Sequence, residues 1–403
     1  MKRVLISAFA CQPNKGSEFS NGWNWPVRLA NLGFEVHCLT LRSHQPFIET
    51  VEVPPNLHFH YVQLPFKLQA MHRLSQGTMY IHYILWQRLA YRYAKGLHKK
   101  LKFDVVHHVS WGNVQMGSFL YKLDAPFIIG PAGGGQEAPE AFKKYFMWGW
   151  TAEKKREKVA DWLIKNNPAC KKMLRNAYSV IAANKDTLEL VKSVGAKNYS
   201  IAFDHSVPDE FFPEKFVPKS PVPGTLRMLW VGRFMPRKGL LMTLDVMARL
   251  KKYPNITLTV LGDGEMKNEV LKKIKEEGLE DTVKLMGMVP QETVRECYAT
   301  YDIFFFNSLR DSGPSQLIDA MAYGLPVVTI NLHGQGSIVS DETGVRCKCD
   351  TPEIAIDELE KAIINLYNNP QKVTEMSKAA YQFAKKQSWS SRIETLVKDH
   401  YPV

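Results

Sequence analysis

The chain lacks any hydrophobic run long enough to form a membrane-spanning helix, because no apolar stretch approaches the ~20 residues that crossing a bilayer requires. Its N-terminal stretch, Met1–Ala10, is basic and then apolar, as in a secretory signal. The apolar part is too brief for such a signal, however, and is more typical of a buried strand. We therefore expect a first β-strand here and a cytoplasmic location.

Cysteine is also scarce, with six scattered residues of which only Cys347 and Cys349 lie close together. A Cys-x-Cys pair without a second pair or neighbouring histidines lacks the spacing of a zinc site. The remaining cysteines are expected to be reduced thiols. No clustered set of His, Asp and Glu in the sequence has a pattern typical of a metal site.

Short apolar runs alternate with longer amphipathic segments, which indicates parallel sheets covered by helices on both faces. The strands predicted in the first half are Val4–Ser7, Glu35–Thr40, Leu57–Val62, Val105–His108, Pro126–Gly130, Tyr178–Ala183 and Ser200–Phe203. The strands predicted in the second half are Arg227–Val231, Ile256–Leu261, Val283–Met286, Ile303–Phe306 and Val327–Ile330.

The segment 208–223 is too rich in proline for a helix or a central strand, and we predict it to be an interdomain linker. This places an N-terminal domain at 1–207 and a C-terminal domain at 224–385. Residues 386–403 would form a helix that packs back toward the first domain. The predicted fold class is α/β, with two doubly wound, Rossmann-like domains facing a central cleft, since open α/β sheets bind ligands at the carboxyl ends of their strands.

Two strand-to-helix turns of the second domain carry residues suited to phosphate chemistry. Arg233 and Lys238 lie in one of them and can hold a diphosphate and neutralise it as a leaving group. A basic turn before a solvated helix is the alternative. The second turn, Gly262–Gly264, lacks the third glycine of the dinucleotide fingerprint, so an ordinary tight turn competes with a ligand-facing loop there.

The segment Asp311–Pro326 is the most informative motif of the sequence. It follows an apolar strand, and Gly313 and Pro314 open a predicted helix whose free N-terminal amides can bind an anion. Asp311 precedes this helix and Asp319 lies within it, so both carboxylates can point into the same cleft. By composition alone an ordinary capped helix would explain the segment, and its combination with the preceding turns favours a ligand site.

Taken in order, these motifs resemble glycosyltransferase family 4, which has the GT-B fold. The family shows a Gly-Arg…Lys-Gly phosphate site, a Gly-x-Gly turn, and an acidic-x7-acidic helix followed by Ala-Met-Ala-x-Gly-x-Pro-Val. These motifs occur here at 232–239, 262–264 and 311–327. The resemblance implies a retaining enzyme that moves a sugar from a nucleotide-diphosphate donor, with a UDP-sugar favoured over a GDP-sugar, and that needs no metal or other cofactor.

The same resemblance implies roles for individual residues. Arg233 and Lys238 would hold the donor diphosphate, Asp311 would contact the transferred sugar, and these three would be catalytic. Asp319 would bind the ribose hydroxyls. The full donor-side set is Gly16, Gly232, Arg233, Lys238, Gly262, Gly287, Met288, Asp311, Ser312, Gly313, Pro314, Ser315 and Asp319, in which Gly287 and Met288 border the base.

This chain departs from the family in one respect, since it has aspartate at both ends of the acidic motif where the family usually has glutamate. Each side chain is one methylene shorter, which removes roughly 1.3 Å of reach. The departure leaves open an inactive GT-B scaffold that binds a glycan or a nucleic acid. A sugar-nucleotide epimerase, which would turn over the donor without an acceptor, is a further alternative.

The first domain offers candidates for the acceptor side. His107 and His108 end a predicted strand and Trp111 follows, and a histidine at such a position can act as an acid, a base or a hydroxyl partner. A supporting role behind the site is the alternative. Gly130–Gly135 resembles the Gly-Pro-x-Gly-Gly-Gly loop of a family subgroup, and we expect Gly133, Gly134 and Gly135 to approach the sugar or the acceptor, with a bare turn as the alternative.

The positive charge is confined to the first half, where residues 1–220 hold 29 Lys and Arg against 17 Asp and Glu, which accounts for the whole net charge of +12. Ile81–Lys100 is predicted to be an amphipathic helix with a basic row, and Lys143–Arg175 combines lysines with tryptophans. Such segments suit an anionic membrane surface, although a core-facing stripe with a solvated basic back is the alternative. We therefore expect a bacterial peripheral enzyme on the inner face of the cell membrane, with a lipid, lipid-linked or cell-surface glycan acceptor and no nucleic-acid partner.

Overall fold

The computed structural model describes residues 1–13, 15, 16, 18–65, 68 and 76–402. The chain divides into two compact units. Unit 1 consists of Met1–Gly135, Lys158–Ser206 and the C-terminal stretch that begins at Trp389. Unit 2 consists of Gln136–Glu157 and Val207–Ser388.

Unit 1 is built on a parallel sheet, in which the described residues form seven strands. They are β1 (Arg3–Ala8), β2 (Glu35–Leu41), β3 (Leu57–Val62), β4 (Val105–Ser110), β5 (Phe127–Ala132), β6 (Ser179–Ala182) and β7 (Tyr199–Ile201). Their order in the sheet is β3-β2-β1-β4-β5-β6-β7. The chain thus builds outward in one direction from β1 and then in the other from β4, as in a doubly wound fold.

The longer helices of unit 1 cover both faces of this sheet. In chain order, the helices before β8 are α1 (Glu18–Asn31), α2 (Gln45–Ile48), α3 (Gln76–Leu101), α4 (Lys143–Phe146), α5 (Trp150–Asn166), α6 (Pro168–Asn176) and α7 (Lys185–Val194). Of these, α4 belongs to unit 2, and the residues of α5 are divided between unit 2 and unit 1. Side chains of β1 alternate between two apolar layers, Leu5 packing in one and Val4 and Ile6 in the other.

Unit 2 repeats the same sheet order. Its strands are β8 (Leu226–Val231), β9 (Ile256–Leu261), β10 (Val283–Gly287), β11 (Ile303–Phe305), β12 (Val327–Ile330) and β13 (Gly344–Cys347), arranged β10-β9-β8-β11-β12-β13. Its helices are α8 (Leu240–Arg249), α9 (Lys267–Glu277), α10 (Gln291–Thr300), α11 (Ser315–Ala322), α12 (His333–Ile338), α13 (Pro352–Asn368) and α14 (Pro370–Lys386). The strand β13 was not foreseen in the sequence, because its four residues begin with glycine and are only partly buried.

The predicted class of two Rossmann-like α/β domains is therefore confirmed, but two segments lie elsewhere than the sequence placed them. Gln136–Glu157, assigned from the sequence to the first domain, belongs to unit 2. Its Tyr145 hydroxyl donates to an Asp245 carboxylate oxygen at 2.7 Å. The proline-rich segment 208–223 also packs within unit 2, where Phe216 stacks on Tyr381 with ring centroids 3.9 Å apart. Proline prevents pairing with a sheet but not side-chain docking of this kind.

The C-terminal helix α15 (Trp389–His400) belongs to unit 1, so the boundary lies at Trp389 rather than at 386. Trp389 and Ile393 join the same apolar layer as Trp25 of α1, and the two tryptophan rings meet edge to face at 5.7 Å. The buried Arg392 donates to the carbonyls of His205 and Phe203. The last turns of the chain thus complete the core of the unit that contains its first residues.

Candidate functional site

The loop between β8 and α8 in unit 2 is held against the segment that follows β11. Gly239 ends this loop with φ at +70°, and a Cβ at this position would lie 1.9 Å from the Asn307 carbonyl oxygen. Only glycine tolerates both the left-handed backbone and this close approach. The Leu309 amide donates to the Arg237 carbonyl at 2.7 Å. These contacts join the carboxyl ends of two neighbouring strands.

Lys238 and Asp311 form an ion pair at this junction. The ammonium of Lys238 is buried, contacts the Asp311 carboxylate and lies 5.2 Å from the centre of the Phe306 ring. Arg237 donates to the same carboxylate oxygen at 3.3 Å. Burial alone raises the pKa of Asp311, but the charges of Lys238 and Arg237 outweigh it and hold that pKa at about 2. The carboxylate is therefore ionised throughout the physiological range.

Burial lowers the pKa of Lys238, and the Asp311 carboxylate opposes that effect. An ammonium in this position has little water around it and a fixed direction. It is suited to bind a phosphate oxygen, because charge-assisted hydrogen bonds are strong where water is excluded. The role that the sequence assigns to Lys238 stays a prediction, and the structure adds Arg237 as a second cation on the Asp311 carboxylate.

Two residues of α12 support the segment that carries Asp311. The side-chain amide of Gln335 makes a double hydrogen bond with the backbone of Ser308, at 3.2 Å from the Ser308 amide and 2.9 Å to its carbonyl. A Cβ at Gly334 would lie 1.9 Å from the Ser312 carbonyl oxygen. The signal in the sequence is the run His333-Gly-Gln-Gly336, separated from β12 by two residues, which gives no prediction because it contains no lysine or arginine and matches no phosphate motif.

The residues Ser312, Gly313 and Pro314 connect Asp311 to α11, which begins at Ser315. The residue at the N-terminal cap is Pro314, whose side chain makes no capping hydrogen bond, and the Leu317 amide donates to the Pro314 carbonyl at 3.1 Å. That the N–H groups at this end of the helix bind an anion stays a prediction from the sequence.

Asp319 lies on the same helix in surroundings different from those of Asp311. Burial raises the pKa of Tyr298, and the nearby negative charge of Asp319 raises it further. Burial raises the pKa of Tyr323 as well, with Asp319 again contributing. The Asp319 charge thus acts on two tyrosine hydroxyls, whereas the Asp311 carboxylate contacts two cations, so the two aspartates of the acidic motif are not equivalent.

Three predicted glycines come together at the carboxyl ends of β8, β9 and β10. The Gly262 amide donates to the Gly287 carbonyl at 2.8 Å. With φ at +130°, a Cβ on Gly262 would lie 1.9 Å from the carbonyl oxygen of Gly232. Met288 follows directly and is 78% exposed. The structure thus unites Gly232, Gly262 and Gly287 in one bare backbone surface beside an exposed apolar side chain.

Arg233 lies near this surface and its guanidinium is 3.3 Å from the Glu265 carboxylate. The arginine side chain is two-thirds exposed, so the pair contributes little stability. An anionic ligand can replace Glu265 at small cost.

Arg310 adds a further cation directly before Asp311. Its Nε lies 2.5 Å from Glu153 Oε1, and Arg156 donates to the same oxygen at 2.9 Å. Burial, followed by the charges of Arg156 and Arg237, lowers the pKa of Arg310 to about 10. The sequence could not reveal this cluster, because Glu153 and Arg156 come from the segment assigned to the other domain.

The two candidate histidines of unit 1 are internal, which corrects their assignment to the acceptor side. His107 is fully buried, with Nε2 donating to the Gly130 carbonyl at 2.6 Å and Nδ1 facing the Tyr401 hydroxyl at 2.9 Å. His108 contacts Tyr83 and Ser7, each at 3.1 Å. Burial lowers the pKa of His107 to about 3 and that of His108 to about 4, so both rings are neutral and already paired.

Trp111 is the member of this set that remains half-exposed. It adopts φ of +47° and its amide donates to the Glu18 carboxylate at 3.0 Å. Burial, followed by the charge of Asp204, raises the pKa of Glu18 to about 7. A strained residue beside a carboxyl that titrates near neutrality is typical of functional sites. Glu18 is not among the site residues that the sequence predicts.

The predicted glycine loops of unit 1 differ in their surroundings. Gly134 and Gly135 have φ of +146° and +86°, and Thr187 donates to the Gly134 carbonyl at 2.8 Å. The Gly133 amide donates to the Gly112 carbonyl at 2.8 Å, which ties this loop to the residue after Trp111. Gly16 is exposed, and beyond its chain neighbours no described residue lies within 4 Å of the position that a Cβ would take there.

Comparisons with known proteins match part of the chain. Residues 212–383, which fall within unit 2, match the family model described as "Glycosyl transferases group 1". A 182-residue segment is 29% identical to a subunit of phosphatidylinositol N-acetylglucosaminyltransferase from Arabidopsis thaliana, and covers 44% of this chain and 40% of that protein. Another of 111 residues is 35% identical to Amylovoran biosynthesis glycosyltransferase AmsK of Erwinia amylovora, over 26% of this chain and 27% of the relative. The matched segments thus span well under half of these relatives.

Solved structures match along almost the whole chain and show its fold. Sucrose-phosphate synthase from Thermosynechococcus elongatus has a TM-score of 0.69 at 16% identity, covering 99% of this chain and 98% of the other. TarM of S. aureus, solved with Fondaparinux, alpha-GlcNAc-glycerol and UDP, has a TM-score of 0.66 at 14% identity, covering both chains completely. Anabaena HepE, solved with UDP and glucose, has a TM-score of 0.65 at 13% identity over 99% of each chain. The chain has the GT-B fold.

Proposed function

We propose that this protein is a retaining glycosyltransferase that moves a sugar from a nucleotide-diphosphate donor, with a UDP-sugar favoured, to an acceptor hydroxyl. The observation that carries the proposal is the buried Lys238–Asp311 pair, with Arg237 on the same carboxylate, between the ends of β8 and β11. The family match over 212–383 and the relatives named as glycosyltransferases support the transferase class.

In the proposed mechanism Lys238 and Arg233 hold the donor diphosphate, and backbone amides at the start of α11 contribute further hydrogen bonds. The bond between the anomeric carbon and the diphosphate oxygen breaks, and these groups stabilise the negative charge that develops on the leaving group. The acceptor hydroxyl attacks from the same face, and its proton passes to the departing diphosphate oxygen. No metal is required in this scheme, because the cations of the chain carry the charge balance.

The two aspartates would then have separate tasks. An arriving diphosphate competes with Asp311 for the Lys238 ammonium, which leaves the Asp311 carboxylate able to accept hydrogen bonds from the sugar. Asp319, on the next turns of α11, would bind the ribose hydroxyls. The contacting glycines Gly232, Gly262 and Gly287, with Met288 beside them, would border the base and the phosphates.

The proposed acceptor is a membrane lipid or a lipid-linked or cell-surface glycan. Helix α3 supports this acceptor class. Its buried face is formed by Tyr83, Trp86, Ala90 and Ala94. Ile81 and Tyr93 lie outside that face and are 49% and 45% exposed. Arg88 and Arg92 are exposed on the same helix. An outward row that combines apolar and basic residues suits an anionic membrane interface. One relative has phosphatidylinositol in its name, and another is named for amylovoran biosynthesis.

Helix α5 offers a second exposed aromatic residue, since Trp162 is 60% exposed beside Lys158 and Lys165. None of the described helices combines the length and the apolar character needed to cross a bilayer. Attachment through these exposed faces is the proposed mode of contact with a membrane.

The donor proposal is tested by measuring the thermal stability of the protein with UDP-, GDP- and ADP-sugars, followed by transfer of labelled sugar to a lipid extract. A ligand of the native state raises its melting temperature, and we expect the largest rise with a UDP-sugar. Donor turnover that yields an isomeric sugar nucleotide without an acceptor product would favour the epimerase. Glycan binding with neither donor binding nor turnover would favour the inactive scaffold.

The membrane proposal is tested by flotation with vesicles that contain anionic lipid, at low and at high salt. We expect salt-sensitive flotation that the double variant Arg88→Glu/Arg92→Glu abolishes. Lys251→Glu/Lys252→Glu in unit 2 makes the same change of charge and serves as the matched control. Equal flotation of both variants would contradict the assignment of α3 while leaving the donor chemistry untouched.

A further inference from the structure

Four residues with metal-binding side chains lie on one face of the sheet edge in unit 1. Glu35 and His37 alternate along β2, and His58 and His60 alternate along β3. His37 pairs directly with His58 in the parallel register of these strands. Because alternate residues of a strand share a face, and paired residues of neighbouring strands do as well, all four side chains project to the same side.

Three members of this group lie near enough to share one metal ion, and two of them already have the spacing of zinc ligands. Candidate ligand atoms of Glu35, His37 and His58 all lie within 4.8 Å of one another. The Nε2 atom of His37 is 3.4 Å from Glu35 Oε1. Two ligands at about 2.0–2.1 Å from a tetrahedral zinc ion are separated by roughly 3.3 Å, so this pair already has the required spacing. His58 is exposed, and its ring can move toward the other two without disturbing the core.

The second nitrogen of His37 is positioned as in known metal sites. His37 Nδ1 lies 2.9 Å from His60 Nε2, and His60 Nδ1 lies 3.3 Å from the Tyr93 hydroxyl. If each Nδ1 carries the proton, the hydrogen bonds run from His37 to His60 to Tyr93, and the lone pair of His37 Nε2 points to Glu35 and His58. Histidines that bind metals usually donate their other ring N–H in this way, which orients the ring.

The Glu35 carboxylate is also held in a fixed orientation. Arg3 Nε donates to Glu35 Oε2 at 2.8 Å, which leaves Glu35 Oε1 facing His37. This hydrogen bond is the main reason why the pKa of Glu35 is lowered. The Glu35 side chain and the imidazoles beside it thus present an oxygen and nitrogens, the atoms that zinc commonly takes as ligands.

We propose that Glu35, His37 and His58 form a zinc-type site, with a water molecule as the fourth ligand, that ties the edge strand β3 to β2. Mixed imidazole and carboxylate ligands suit Zn²⁺ better than Mg²⁺ or Ca²⁺. The site lies at the beginning of β2 and β3, whereas the candidate functional residues of unit 1 follow the ends of its strands. The proposed site holds two strands together and is independent of the proposed transfer reaction.

Calorimetric titration of the full chain, freed of metal with a chelator, with ZnCl₂ tests the proposal. We expect one equivalent of zinc to bind with a dissociation constant on the order of micromolar or tighter, and to raise the melting temperature. His58→Asn removes an exposed ligand and should weaken binding at least 100-fold while the protein stays folded. His60→Asn should weaken binding by about 10- to 100-fold, since it removes the residue that orients His37.

The control is His98→Asn, which changes a half-buried histidine of the same unit outside the cluster. Its zinc affinity should equal that of the unchanged protein. Absence of stoichiometric binding would overturn the proposal. Binding that His58→Asn and His98→Asn reduce equally, or leave equally unchanged, would indicate an adventitious ion only and would overturn it as well.

Discussion

The two units have the same sheet order but differ in the charge that follows their central strands. In unit 2 the segments after β8 and β11 bring together Lys238 and Asp311, a buried ammonium and a carboxylate. In unit 1 the corresponding end of β4 carries His107 and His108, which are neutral and paired inside the core. The topology places loops at the carboxyl edge of each sheet, but the residues of those loops decide which chemistry each edge supports.

The two units also differ in the direction in which the pKa of a buried carboxyl group is shifted. The pKa of Asp311 is lowered by adjacent cations, whereas that of Glu18 is raised by burial and by a neighbouring carboxylate. A site with an ionised, cation-rich interior suits a diphosphate. A site with a carboxyl that titrates near pH 7 beside an aromatic ring suits a neutral ligand with hydroxyl groups.

The largest expected effect is that of Lys238→Ala on sugar transfer. Removing one preorganised group that stabilises developing charge typically costs about 10²–10³-fold in rate, and we expect a loss of at least this size in kcat/KM. The measurement is transfer of labelled sugar, with circular dichroism to show that the variant is folded. Lys272→Ala, an exposed lysine of the same unit, is the control. Near-normal turnover of the Lys238 variant would refute the assignment of unit 2 as the donor unit.

The next effect is that of Gly239→Ala on the stability of unit 2. Alanine there has an unfavourable φ of +70° and a Cβ 1.9 Å from the Asn307 carbonyl oxygen, so we expect a loss of about 3 kcal/mol in the free energy of unfolding. Gly224→Ala has a similar φ of +79°, but no described atom beyond its chain neighbours lies within 4 Å of its Cβ, and it should cost only about 1 kcal/mol. Urea denaturation measures both. Equal losses would show that the loop relaxes away from β11 without penalty.

His107→Phe in unit 1 should lower stability by roughly 2 kcal/mol, because it leaves the Gly130 carbonyl and the Tyr401 hydroxyl buried without their partner. The same denaturation measurement checks this. His333→Phe in unit 2 removes a contact with the Glu137 carbonyl at a partly exposed position, where water can replace it, and should cost about 1 kcal/mol or less. If the two variants lose the same stability, the internal role of His107 is wrong.

The smallest effect concerns the pH dependence that Glu18 contributes. Its pKa of about 7 in the folded state exceeds the ordinary value of 4.5, so between these pH values the folded state holds a proton that the unfolded state releases. The protonated Glu18 therefore stabilises the folded state fully below pH 4.5, and this contribution to the free energy of unfolding is lost as the pH rises through 7. Glu18→Gln removes the loss, and we expect it to be roughly 1–2 kcal/mol more stable than the unchanged protein at pH 8.

Unfolding in urea at several pH values between 5 and 8 measures this difference. Glu189→Gln changes an exposed glutamate of the same unit and should leave the pH profile unchanged. If the free energy of unfolding changes with pH in the same way for the Glu18 variant and the unchanged protein, Glu18 has an ordinary pKa in the folded state. The contrast between the raised pKa of Glu18 in unit 1 and the lowered pKa of Asp311 in unit 2 would then be wrong.

The sequence predicted the strands well where apolar runs were flanked by clear breaks. Leu57–Val62, Ile256–Leu261 and Val327–Ile330 have the predicted bounds. It missed β13, whose glycine and half-buried residues do not form an apolar run. The roles of the donor-side residues, the retention of configuration and the absence of a metal requirement stay predictions, as does the subgroup with the Gly-Pro-x-Gly-Gly-Gly loop.

Local patterns of residues determined the fold class, the turns after β8 and β9, and the helix that follows Asp311. Periodicity and turn chemistry act between near neighbours in the chain, so one sequence suffices to read them. Tertiary structure alone decided that Glu153 would meet Arg310, that His107 would face Tyr401, and that Glu35 and His37 would meet His58. These contacts join residues distant in the chain or on separate strands, where packing determines the burial, and hence the charge, of each group.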